Sequence, residues 1–139
     1  MDKRIVPNAV LLEDAASLME EGHEVSFTPL GNSMLPFIRG GKDAVRMRKL
    51  PGVEVGDIVL FRFQGRYVLH RVIGKEGEKL TLMGDGNIRG KEYCRLEDVM
   101  GTVVAIERNG KSIRPAKGRL WNRLLPLRRY ILAIYRRLP

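Results

Sequence analysis

Ser33 lies in the segment Gly31-Asn32-Ser33-Met34-Leu35-Pro36. A serine that acts as a nucleophile must stand clear of its backbone, beside N–H groups able to hold an oxyanion. Gly31 lets the chain turn tightly and approach a substrate closely, and Pro36 stiffens the exit. The second reactive candidate is His70, in the strand-like run Val68-Leu69-His70-Arg71-Val72-Ile73. A neutral imidazole is the form that accepts a proton from a serine hydroxyl. Each segment also has an ordinary reading, as a turn between strands and as a core histidine bonded to backbone. Two further segments stand out. Met83-Gly84-Asp85-Gly86-Asn87 sets a carboxylate among turn formers, and in Val55-Gly56-Asp57-Ile58-Val59-Leu60-Phe61 the Gly56-Asp57 pair opens a buried strand. His23 follows Gly22 at a helix end, where an imidazole meets the helix dipole favourably, so its reading is structural.

The elements that must position these groups follow from the apolar pattern. Asn8 caps a helix running through Met19 to Glu21, with Gly22 as its stop. Leu11, Leu12, Ala15, Leu18 and Met19 form its apolar face. Glu24 to Leu30 alternates and ends in a turn. Strand runs follow at Ala44–Arg48, Asp57–Phe63, Arg66–Ile73, Lys79–Met83 and Val99–Glu107. Gly40-Gly41, Pro51-Gly52, Gln64-Gly65, Glu76-Gly77 and Asn109-Gly110 separate them as turns. Short strands at this spacing indicate a small, coiled antiparallel β domain. From Gly118 to Pro139 the period becomes helical. Leu120, Leu124, Leu127, Ile131, Ile134 and Leu138 share one face, Arg128 sits near its edge, and Pro126 breaks or kinks the helix.

In this order and at these distances the four segments resemble the signal peptidase superfamily, which includes LexA-like repressors. Its members carry a Gly-x-Ser-Met-x-Pro box, a Gly-Asp-Ile-Val strand, a base-bearing strand and a Gly-Asp-Asn box. The resemblance covers roughly Thr28 to Glu107. It implies a mainly β fold: a signal peptidase/LexA-like coiled antiparallel β domain, here with a short N-terminal helix and a basic amphipathic C-terminal helical tail. His70-Arg71-Val72 is similar to the histidine branch, that of endoplasmic-reticulum and sporulation-type signal peptidases, and unlike the lysine branch. By this resemblance Ser33 is the nucleophile and His70 the general base. The histidine branch places an aspartate a few residues after the Gly-Asp-Asn box. Here that stretch is Ile88-Arg89-Gly90-Lys91-Glu92. Asp85 is therefore taken as the third catalytic residue, with Glu92 as the other acid available and a Ser-His dyad as the third option. Gly31, Asn32 and Met34 are assigned to substrate and oxyanion contacts.

The implied activity is that of a serine endopeptidase in signal- or leader-type processing. An extended peptide would lie beside Ser26–Leu30, with small residues before the cut bond. This chemistry needs no cofactor, and no metal-ligand spacing is present. Two alternatives share the fold: a catalytically weak or inactive peptide-binding module, and a LexA-like self-cleaving regulator. Too few residues precede Ser33 for a DNA-reading domain plus a cleavage linker, which counts against the last.

The chain has 139 residues, enough for one domain with appendages. These divide as a helical segment (1–24), a peptidase-like β domain (25–116) and a basic helix (117–139). Cys94 is the single cysteine, so no intramolecular disulfide forms and a reducing compartment is expected. The net charge of +9 is lopsided, since residues 117–139 hold seven Lys/Arg and no acid. That tail is read in two ways: as a helix packed on the domain, or as a surface for anionic lipid. Nucleic acid is a weaker match, because no reading motif accompanies the charge. No run reaches the roughly 18 apolar residues of a membrane span. Met1 to Met19 is interrupted by Asp2, Glu13 and Asp14 and does not read as a signal peptide. The expected location is cytoplasmic, peripheral at the inner face of the membrane if the tail meets lipid.

Overall fold

A computed structural model describes residues 9–137, and side chains from residue 12 onward. Helix α1 (Ala9–Glu20) comes first. It ends where Gly22 takes a left-handed φ of 94°, which a Cβ would oppose. There the N–H groups of Gly22 and His23 donate to the carbonyls of Met19 and Leu18, at 3.0 and 2.9 Å. Ala15 and Met19 are fully buried, and Leu12 and Leu18 pack partly against the same core. The expected cap Asn8 and the side chain of Leu11 lie outside the described residues, as does Leu138 in the tail.

Among the described residues eight strands follow: β1 (Val25–Phe27), β2 (Ala44–Arg48), β3 (Ile58–Phe63), β4 (Arg66–Glu76), β5 (Lys79–Met83), β6 (Glu92–Arg95), β7 (Val99–Arg108) and β8 (Lys111–Ile113). They form one antiparallel sheet in the order β1-β2-β7-β3-β4-β5-β6, with β8 also on β7. Register shifts at Arg46/Met47, Leu60/Phe61 and Val72/Gly74 insert extra residues. Each such bulge bends its strand and increases the twist, and the sheet curls into a half-barrel. Gln64-Gly65 and Asn109-Gly110 close tight hairpins with both residues at positive φ, the backbone that matches strand twist. Strand alternation splits the core in two. Val25, Val45, Met47, Ile58, Leu60 and Ile106 face α1, whereas Val59, Phe61, Val72, Leu80 and Leu82 line the other side.

The strand runs read from sequence all appear, with ends moved by up to three residues. Two strands were not anticipated, β6 and β8. The tail is two helices, α2 (Arg119–Arg123) and α3 (Arg128–Arg137), joined by a 3₁₀ turn over Leu125–Leu127 that contains Pro126. This break shifts the phase of the helix, and the expected apolar stripe is corrected accordingly. Leu120, Leu127 and Ile134 are exposed at 70%, 53% and 66%. The face that packs on the domain carries Trp121, Leu132 and Arg128, all buried. Trp121 and Leu132 meet Leu35, with Phe37, Ile131 and Tyr135 around them. Among the described residues no helix is long and apolar enough to cross a membrane.

Candidate functional site

His70 lies in mid-β4, opposite Val59 of β3, and only 7% of its surface is exposed. Its Nδ1 is 2.6 Å from Oε1 of Glu92. Glu92 begins β6 and pairs with Leu82, which pairs in turn with Val72 of β4. Strand residues two apart share a face, so Glu92 reaches across β5 toward the residue two before Val72. An Nδ1–H donating to this carboxylate fixes the ring and leaves Nε2 as the acceptor.

Gly84, just past the end of β5, lies beside Nε2. A Cβ there would collide with the Ser33 carbonyl oxygen and would lie 2.9 Å from His70 Nε2 and 2.7 Å from Asn87 Nδ2. All three atoms crowd a single point that only glycine leaves open. Gly86 works likewise. Its N–H donates to the Ser33 carbonyl at 2.7 Å, and a Cβ on it would strike the Asn32 carbonyl. Two glycines thus let the serine segment lie against the segment after β5, with the Ser33 carbonyl on the side of Gly84 where His70 Nε2 lies. The serine segment is itself a turn. Asn32 C=O accepts from Leu35 N–H, and Met34 C=O accepts from the N–H groups of Phe37 and Ile38. Ser33 is half-buried, while Gly31 and Asn32 are exposed beside it. Met34 is not a surface contact: its side chain is 3% exposed and belongs to the α1-facing core.

Asp85 is turned elsewhere. Its carboxylate accepts from Arg71 Nε at 2.9 Å and Arg71 Nη2 at 2.7 Å. Both side chains are essentially without solvent contact. Burial pushes the Asp85 carboxyl above its ordinary value against the pull of Arg71. Arg71 Nη1 also donates to the carbonyls of Gly56 and Ala116, and its guanidinium lies 4.8 Å from the Phe37 ring centre. The conspicuous Asp85 is therefore the counter-ion of a structural arginine, and the acid on the histidine is Glu92.

The C-terminal arm holds the same segment from outside. Arg128 Nη1 donates to the carbonyls of Gly84 and Asn87, Trp121 Nε1 to that of Asp85, and Arg136 Nη2 to that of Gly86. Four consecutive carbonyls, residues 84 to 87, thus find donors on the arm. Arg128 is 1% exposed and lies 5.0 Å from the Trp121 ring centre. Burial lowers the Arg128 pKa, with Asp85 opposing and Arg71 adding to the effect.

The expected substrate edge is partly closed. β1 borders the sheet, but Val25, Ser26 and Phe27 are buried, and Pro29 C=O accepts from Gly41 N–H. Access begins at Thr28 and widens to Leu30, which is 72% exposed. A groove of about 350 Å³ beside the serine segment is lined by Asn32, Leu35, Arg39, Lys42, Tyr135 and Arg136. A wider groove of about 580 Å³ crosses β4 to β6 near Lys79 and Arg95, at the far end of the β5–β6 pairing from Glu92. Burial, helped by nearby Asp98, pushes the Cys94 thiol up to about 11, which removes thiolate chemistry near neutral pH. Among the described residues no three His, Cys, Asp or Glu side chains gather as metal ligands. No protein-family model matches the chain, and no curated protein matches it.

Proposed function

We propose that this chain is a serine endopeptidase of the signal peptidase/LexA-like kind, cutting an extended peptide with Ser33, His70 and Glu92. The observation that carries the reading is the 2.6 Å contact of His70 Nδ1 with Glu92, with Nε2 and the Ser33 backbone carbonyl both beside Gly84. A nucleophile, a base and a group that orients the base together suit acyl transfer. Ser33 Oγ attacks the peptide carbonyl as Nε2 takes its proton. The Ser33 N–H and the neighbouring Asn32 serve the oxyanion. Glu92 stabilises the imidazolium, which then protonates the leaving amine as the C–N bond breaks. Water, deprotonated by the same imidazole, hydrolyses the acyl-serine and restores the hydroxyl.

The substrate's backbone would extend the sheet alongside Thr28–Leu30. The test is mass spectrometry of leader-like peptides, with small residues before candidate cut sites, incubated with the full chain. Discrete products from the wild type, absent with Ser33→Ala and with His70→Ala, support the reading. Peptides that bind but stay intact would make the chain a binding module of the same fold.

A further inference from the structure

The arm has two faces, and only one is used by the domain. On the other, Leu120, Leu127, Tyr130 and Ile134 are exposed at 70%, 53%, 62% and 66%. Tyr130 and Ile134 lie four residues apart on α3 and share a face, and Leu127 closes the 3₁₀ turn just before it. Arg119, Arg123, Arg129 and Arg137 are exposed around them, and residues 117–139 contain no acid. The buried contacts of Trp121, Arg128 and Leu132 hold this face outward.

We propose that the outer face of the arm lies on an anionic lipid surface. Its chemistry discriminates between occupants. Guanidinium groups pair with lipid phosphates, while leucine, isoleucine and tyrosine side chains enter the headgroup boundary. A nucleic-acid backbone would satisfy the arginines but leave four large apolar side chains in water. A second copy would cover the apolar side chains but set arginine against arginine. Only a charged surface with an apolar layer beneath it answers both halves of the face. The proposal does not depend on the peptidase reading, since its readout is binding alone.

The experiment is co-sedimentation of the full chain with vesicles of phosphatidylglycerol and phosphatidylcholine in equal parts, against phosphatidylcholine alone. Binding should require phosphatidylglycerol and weaken steeply as salt rises. Each of Arg123→Gln, Arg129→Gln and Arg137→Gln should weaken it by about fivefold. The triple variant Leu127→Ser/Tyr130→Ser/Ile134→Ser should lose it while keeping the wild-type circular dichroism and melting point, because those side chains touch solvent. Equal binding to both vesicle types overturns the proposal, as does full binding by the triple variant. So does a chain that ignores vesicles but retains an oligonucleotide, or that dimerises, through the same residues.

Discussion

Glu92 and Asp85 divide two tasks that a motif-based reading would give to one residue. Glu92→Gln keeps the shape but removes the charge that orients His70 and stabilises its cation. Turnover of a peptide cut by the wild type should fall by as much as about 10⁴, with the melting point nearly unchanged. Asp85→Asn should do the reverse. It strands a fully buried Arg71, and losing one partner of a buried pair costs about 3–5 kcal/mol, read as a lower urea midpoint. If Asp85→Asn abolished turnover at full stability while Glu92→Gln cut normally, the assignment of the two acids would be exchanged. Arg71 explains why the Gly-Asp-Gly box looks catalytic in sequence. Its carboxylate serves the residue next to the base, and neighbours on a strand face opposite ways.

At the scale of elements, the arm and β6 hold what the sequence concealed. The strands that build the half-barrel were legible because their apolar residues alternate between glycine-bearing turns. β6 was not, since only Cys94 among its four residues is buried, and a strand with one inward side chain has no visible period. The acid on His70 was hidden with it: Glu92 could be named as a candidate but not placed. Ser33 and His70 stood out as candidates through the four ordered segments, whereas Gly84 and Gly86 read only as turn formers and their close approach to the serine segment shows only in three dimensions. Arg128 looked like the margin of an apolar stripe because Pro126 resets the helical phase. It is a positioning residue for the segment it grips. Arg128→Gln removes the charged donor from the Gly84 and Asn87 carbonyls. Displacing a site by a fraction of its contact distance can cost about 10² in rate, so kcat should fall by about that factor. Stability should drop by about 2 kcal/mol, and a charge-retaining Arg128→Lys should recover part of both. Unchanged kcat in Arg128→Gln would reduce the arm to a cover for Leu35.

Across the whole molecule, a second charged knot ties the serine segment to the far end of β7. Asp43 is fully buried and accepts from Arg39 N–H at 2.8 Å, Arg39 Nη2 at 2.9 Å and Arg108 Nη2 at 2.7 Å. Arg108 also donates to Phe37 C=O. Burial alone would raise the Asp43 carboxyl, but the hydrogen bonds from Arg108 and Arg39 outweigh it and bring it down to about 2. A folded value below the ordinary 3.8 means that the stabilisation is complete above that range. It is lost as pH falls toward about 2, and amounts to about 2 kcal/mol. The urea midpoint should therefore decline between pH 5 and pH 2 more in the wild type than in Asp43→Asn, which lacks the titrating group. Equal declines would place the acid sensitivity elsewhere.

The hydrogen bond from Gly86 N–H to the Ser33 carbonyl has a consequence in time. An amide proton held this way exchanges with solvent deuterium only when its acceptor moves off. Gly86 belongs to no helix or strand, so its exchange rate is not governed by sheet unfolding. It measures how often the serine segment parts from the glycine segment. That one proton is a clock for the opening of the whole constellation, readable without any substrate.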